Sequence, residues 1–238
     1  DNAKAALDQW ANKHTAGLIE ESAIIPDEDT KLVLQDALLF AAKWRKVFSH
    51  DDRTLDFHIS ENNTVSIKAL ADKFWCPYAS ASGWQAIRLS YDDNLAMDIV
   101  LPEKGQNPFD WDEQVLVDSN TKLNEAEGNE VSVVMPPADL TAKISLKEEL
   151  LAAGVNLSSF GGIFPGATVQ DAAQQVKLIV TANGTVGAAL TEIAMTKSSG
   201  ATEEPIKFIV DRPYLMRVLD TRTGWPLFLA VVIDPRAK

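Results

Sequence analysis

The chain is poor in the residues that most often carry chemistry. It has one cysteine, Cys76, so no internal disulfide or cysteine-based metal site can form. Its three histidines, His14, His50 and His58, are scattered, and no Gly-x-Ser-x-Gly nucleophile motif accompanies them; they read as ordinary polar or structural histidines. Lys and Arg number 22 against 34 Asp and Glu, and a formal charge of -12 argues against nucleic acid as a partner, because phosphate recognition needs clustered cations. No apolar run is long enough to span a membrane. The acidic groups Asp27-Glu28-Asp29, Asp51-Asp52 and 125–130 lack the ligand spacing of a calcium loop and read as solvated turns. Gly161-Gly162 lacks the strand and helix that flank a phosphate cradle. Neither a metal nor a cofactor is expected, and nothing points to an enzyme.

What is present is a mixed α/β pattern over 238 residues, with 46% hydrophobic and 24% charged residues, ordinary for a globular protein. Residues 1–21 read as an amphipathic helix with Gly17 as its stop. Thr30 to Trp44 lacks Gly and Pro and is rich in Leu and Ala, so local propensity alone predicts a helix there. Short β-like segments follow at 54–60, 64–69, 83–90 and 95–101, then a polar turn at 102–112 and a helical stretch from Glu113 to Glu125. Val131 to Met135, Leu140 to Leu146, Val176 to Val180 and Tyr214 to Val218 read as strands, with a helix over 145–153. The six tryptophans read as packing residues rather than a ligand cage. No repeat or linker appears, and the simplest description is one unit over 1–238. Asn62, Asn156 and Asn183 head Asn-x-Ser/Thr triplets, relevant only in a glycosylating host.

Near the C-terminus lies a small-residue stretch, Gly184-Thr185-Val186-Gly187-Ala188-Ala189, followed by Lys197-Ser198-Ser199-Gly200, then Phe208-Ile209-Val210-Asp211-Arg212-Pro213-Tyr214-Leu215 and an ending from Gly224-Trp225-Pro226 to Ile233-Asp234-Pro235. This region resembles the reactive loop and C-terminus of the serpins. Further matches run in order along the chain. Trp10 to Ile19 resembles the end of the helix across the family's large sheet, and Thr30 to Trp44 resembles that sheet's third strand with its upper tryptophan, Trp44. Asp56-Phe57-His58-Ile59 and Thr64-Val65-Ser66-Ile67 are similar to the gate strands, Ala96 to Pro102 to an inner strand, and Leu150 to Val155 to the short helix before the loop strand.

The resemblance implies an α+β serpin-like fold, a large mixed β-sheet with further sheets and packing helices. It covers the C-terminal three-fifths of a complete member, so the N-terminal portion of the fold is expected to be absent and a missing N-terminal segment is a candidate partner. It also implies an extracellular or cell-surface inhibitor of a serine protease, working through a reactive loop at about 182–204. In that mechanism a protease cuts the loop, and the loop then enters the large sheet as a new strand. About 14 residues at ~3.3 Å each would extend ~46 Å, enough to carry the acylated protease to the far end. Strand parity agrees: Thr185, Gly187, Ala189, Thr191, Ile193 and Met195 share one uncharged face, while the lone charge, Glu192, falls on the other.

By register, counted from Ala182, the cut falls at Ser198–Ser199, which suits an elastase- or subtilisin-like enzyme. By side-chain chemistry it falls at Lys197–Ser198, which suits a trypsin-like pocket. Ala182 stands where the family has a glutamate, and Val186 and Leu190 depart from its usual hinge residues, which implies slower insertion. In the sheet-opening region, marked by Asp36, Trp44 and Gln174, Gln174 replaces a histidine and Asp36 its asparagine partner, so an amide–carboxylate pair is expected as the latch. The alternatives are a non-inhibitory serpin-like binding or structural protein, or an inactive fragment that needs its N-terminal part.

Overall fold

A computed structural model describes residues 2–28, 30, 32–158, 160–163, 165–169, 171–185 and 204–236. In chain order its elements are α1 (Asn2–His14), β1 (Val33–Leu39), β2 (Ala42–Lys43), β3 (His50–Ser60), β4 (Asn63–Ala81), β5 (Trp84–Ser90), β6 (Leu95–Pro102), α2 (Glu113–Glu125), β7 (Gly128–Met135), β8 (Ala138–Ser145), α3 (Lys147–Ala152), β9 (Asp171–Thr181), β10 (Gly184–Thr185), β11 (Ile206–Ile209), β12 (Tyr214–Asp220) and β13 (Pro226–Val232). The backbone divides into two compact units, one of residues 1–40 with 139–178, the other of 41–138 with 179–236.

In the first unit β1 runs parallel to β9, from Val33 opposite Asp171 to Leu39 opposite Lys177, and β8 pairs with β9. The segment read as a helix by propensity is therefore a strand, as the resemblance implied. Its burial alternates from Val33 to Ala37, but Leu34 falls on the exposed side and Gln35 on the half-buried one, so the apolar pattern in the sequence does not follow the alternation. Helix α1 gives way to Ala16 and Gly17, both at positive φ, 52° and 82°, a conformation glycine adopts without steric cost. Thr15, fully buried, closes that turn: its hydroxyl donates to Ala11 O at 2.7 Å and accepts from Ile19 N at 3.0 Å. Gln175, 2% exposed, satisfies both ends of its amide on the chain before β1, accepting from Ala23 N at 3.0 Å and donating to Glu21 O at 2.8 Å. Leu157, Val169 and Ala172 make a small core with Leu146, Leu150 and Phe160.

The second unit is built on an eight-stranded sheet in the order β11-β7-β4-β5-β6-β12-β13, with β3 pairing on β4. Strand β6 is central and buried from Ala96 to Pro102, whereas β7 alternates, with Val131, Val133 and Met135 inward. Asp112 starts α2 by accepting from Gln114 N at 3.0 Å, the expected work of an N-cap carboxylate. Leu123, 1% exposed, lies against Ala79, Trp84, Ala86, Val100 and Leu215. Full burial of one such side chain contributes about 1.5–3 kcal/mol.

Two sequence expectations change here. Strand β4 runs to Ala81 rather than stopping near Ala69. The six tryptophans divide: Trp44 and Trp84 are buried, while Trp75 and Trp225 are 77% and 69% exposed. Trp75 lies over Gly128, where a Cβ would fall 2.3 Å from the indole nitrogen, so the glycine makes the room for that ring. No helix among the described residues is long and apolar enough to cross a membrane.

Candidate functional site

Strand β9 ends at Thr181, turns through Ala182 and Asn183, and returns as β10. Within the second unit Gly184 and Thr185 pair antiparallel with Thr181 and Val180 on one side and with Lys43 and Ala42 of β2 on the other. The first two residues of the small-residue stretch thus form a short strand between two others. The turn is held from below: Trp44 N donates to Asn183 O at 3.2 Å, Phe48 N to Ala182 O at 2.9 Å, and the Thr181 hydroxyl to Gly184 O at 2.9 Å.

Both seated residues are matched to their surroundings. Gly184 has φ 149°, and a Cβ there would lie 2.3 Å from Ala42 O and 2.9 Å from Lys43 Cα, backbone atoms that cannot swing aside. Thr185 is fully buried, and its hydroxyl shares a 2.7 Å hydrogen bond with the Tyr91 hydroxyl. Burial pushes the Tyr91 phenol above its ordinary range, with the Thr185 bond opposing, so the group stays neutral and can donate or accept. Trp44 stacks on Tyr91 at 4.1 Å between ring centroids, 8° from parallel, and its indole N–H donates to Thr181 O at 2.9 Å. Phe48 meets Trp44 edge-on at 6.1 Å. Stacked and edge-on rings of this kind add about 0.5–1.5 kcal/mol per pair beyond their burial.

In the first unit Asp36 and Gln174 stand opposite each other in the β1–β9 register, and Gln174 Nε2 donates to Asp36 Oδ2 at 2.9 Å. Trp44 is placed in the second unit, under the β9–β10 turn. Val186, Gly187, Ala188 and Ala189 of the hinge, and Lys197, Ser198 and Ser199 of the reactive-bond region, lie outside the described residues. Sequence reasoning passed over Tyr91, Ala42, Phe48 and Thr181. Only the nearness of Tyr91 to a predicted strand could have marked it; its bond to Thr185 spans 94 residues.

A second buried polar group lies beneath α2. Asp98, fully buried, accepts from two guanidinium groups: Arg88 through Nε at 2.6 Å and Nη2 at 2.9 Å, Arg217 through Nε at 3.1 Å and Nη2 at 2.6 Å. The helix completes the set, with Asn120 Oδ1 accepting from Arg88 at 2.9 Å, Asn124 Oδ1 also accepting from Arg88, and Leu116 O accepting from Arg217 at 2.8 Å. These contacts fix the helix to the sheet and hold no open coordination position.

A family model for serpins (serine protease inhibitor) matches residues 1–235. The chain belongs to the serpin family. It is 28% identical to an uncharacterized serpin-like protein of Thermococcus kodakarensis, over 97% of this chain and 56% of that one. It is equally 28% identical to plasminogen activator inhibitor 1 of Sus scrofa, over 99% of this chain and 62% of the inhibitor. Among solved structures, a thyroxine-binding globulin complex with thyroxine superposes with a TM-score of 0.82 at 22% identity, covering 98% of this serpin and 65% of the globulin. The chain spans less than two thirds of the length of these relatives. The mostly β architecture of the described residues, with mixed sheets and few helices, matches the portion of the α+β serpin fold that this chain spans.

Proposed function

We propose that this serpin chain carries the working loop of a serine protease inhibitor that acts by cleavage and insertion of residues at about 182–204, as a single incomplete serpin domain over 1–238. The observation that carries the reading is the seating of Gly184 and Thr185 between Thr181–Val180 and Lys43–Ala42, which is where an entering strand would begin. Below it in sequence, Val33–Leu39 and Asp171–Lys177 are hydrogen-bonded directly to each other. Insertion would require those two strands to part, breaking the Gln174–Asp36 pair as well. Each residue added gains ladder hydrogen bonds on both sides, and burial of the uncharged face supplies the driving force.

The protease's serine would attack the carbonyl of Lys197 or Ser198, releasing the following amine and leaving an acyl ester that travels with the loop. A trypsin-like enzyme suits the first bond, an elastase- or subtilisin-like enzyme the second. The role is non-enzymatic, and its place is extracellular or at the cell surface, where such proteases act. Incubation with trypsin, elastase and subtilisin, followed by denaturing electrophoresis, tests this. A covalent complex that survives denaturation supports trapping, and Thr185→Arg should abolish it while leaving cleavage, because a buried unpaired charge opposes entry. Cleavage without any complex, by all three proteases, would refute it.

The second reading is a non-inhibitory binding protein. It is favoured by the likeness to thyroxine-binding globulin, which is solved in complex with thyroxine, and by an exposed apolar face on β13, where Leu227 and Leu229 are 38% and 55% exposed beside Trp225. Clean cleavage without trapping is its expected signature.

A further inference from the structure

A cavity of about 500 Å³ opens in the second unit between the β3–β4 turn, the turn after β6, and the segment joining β11 to β12, well within the ~300–1,000 Å³ usual for small-molecule sites. Its apolar wall is Ile59, Pro213 and Ile233. Its charges are of both signs; Asp211 takes up one arm of Arg212 and lies near Lys104, while Glu61 is paired with neither cation.

Arg212 is anchored by donating from Nε to Pro102 O at 2.8 Å and from Nη1 to Asp211, so its fork is fixed. Its Nη2 has no hydrogen-bond partner among the described residues. Lys104 also borders the cavity; its side chain is 79% exposed and its nearest carboxylate, Asp211, is 4.0 Å away. Asp211 is therefore already engaged by Arg212. Glu61, at the tip of the β3–β4 turn, borders the same cavity and makes no ion pair among the described residues. His58 has its Nδ1 held by the Thr64 hydroxyl at 2.8 Å, which orients the ring and leaves Nε2 open.

Two cations with unfilled donors and one free carboxylate thus border one partly apolar cavity without reaching each other. We infer that this cavity binds a small zwitterion with an apolar side chain, an apolar α-amino acid, whose carboxylate meets Lys104 and Arg212 and whose ammonium meets Glu61. A plain carboxylate would leave Glu61 unmatched, and a plain amine would face two cations. A zwitterion matches both, and its side chain covers Ile59, Pro213 and Ile233.

The test is calorimetric and NMR titration of the full chain with L-phenylalanine, and with its one-charge analogues phenethylamine and 3-phenylpropionate. For a ligand of this size, saturable binding with Kd on the order of 1 mM is expected, with each analogue weaker by about fivefold or more, roughly the loss of one charge-assisted hydrogen bond. Glu61→Gln should weaken L-phenylalanine by a similar factor and leave 3-phenylpropionate unchanged or tighter, and Lys104→Met should do the converse with phenethylamine. Both side chains are exposed, so neither variant threatens folding. No saturable binding up to tens of millimolar, or binding insensitive to both substitutions, would overturn the inference. Equal affinity for all three ligands would overturn it as well, because apolar contact alone would then account for binding.

Discussion

Replacing Gly184 with alanine tests whether the seat between β9 and β2 is built for a residue without a side chain. The new methyl group would lie 2.3 Å from Ala42 O and 2.9 Å from Lys43 Cα, at a φ of 149° that L-residues rarely adopt. Two costs compete. If the hinge stays seated, the backbone conformation costs about 1–3 kcal/mol and displacement of β2 about 1–3 kcal/mol more. If the hinge leaves instead, the protein forfeits the Thr185–Tyr91 bond, worth about 1 kcal/mol net, and a few ladder bonds of similar size. The cheaper route limits the damage, so the expected loss is about 2–4 kcal/mol. For a chain of this length that lowers Tm on the order of 10 °C.

Fluorescence separates the two routes. Trp44 stacks on Tyr91 and donates to Thr181 O, beside the seat. Difference spectra against a Trp44→Phe background isolate its emission from the other five tryptophans. Departure of the hinge exposes Trp44 to water and shifts its emission to the red; a strained but seated hinge lowers Tm with little spectral change. Gly184→Ala with Tm within about 1 °C of the parent and an unaltered Trp44 spectrum would refute the claim that this position requires glycine.

Two further substitutions address the buried polar groups. Tyr91→Phe leaves the Thr185 hydroxyl buried without its partner and should cost about 1–2 kcal/mol in urea unfolding; adding Thr185→Val should recover most of that, and an additive double mutant would show that the two hydroxyls are not coupled. Asp98→Asn leaves two buried guanidinium groups without their shared carboxylate and should cost about 3–5 kcal/mol by the same measurement; a change below about 1 kcal/mol would mean that Arg88 and Arg217 reach solvent.

Local chemistry made some of this fold readable and hid the rest for identifiable reasons. Helix α2 was read at Glu113–Glu125, where Asp112 supplies a cap and no glycine or proline intervenes. Strand β1 needed the family resemblance, since Leu34 on the exposed side and Gln35 on the half-buried side break the period-two match between polarity and burial. The reading of β4 stopped early because Asp72-Lys73 and Pro77 look like turn chemistry. In the folded chain Asp72 is spent on the neighbouring loop, accepting from Ser49 N at 2.9 Å and from Lys46 Nζ at 2.9 Å. Pro77 stands opposite Gly128 at the end of the β7 pairing. Arg88, Asp98 and Arg217 are charged residues on strands, yet all three are buried beneath α2. Nothing within a short window of sequence reports that a carboxylate ten residues away and a guanidinium 119 residues away converge on one point.

The hinge shows where a resemblance stops and physics must take over. Parity in the sequence put Thr185 at the head of a small, uncharged face, but an alanine or serine would satisfy that pattern equally well. The Tyr91 hydroxyl supplies the missing reason for a hydroxyl side chain at a fully buried position, since the two share a 2.7 Å hydrogen bond worth about 0.5–1.5 kcal/mol net. Ala42 O supplies the reason for glycine one residue earlier. Both reasons come from segments more than 90 residues upstream, so the two hinge residues are specified by the sheet they enter and not by the loop they begin. A loop chosen only to be flexible would have no need of either. Tyr91→Phe should therefore act on the hinge as strongly as a substitution within it, although Tyr91 does not belong to the loop.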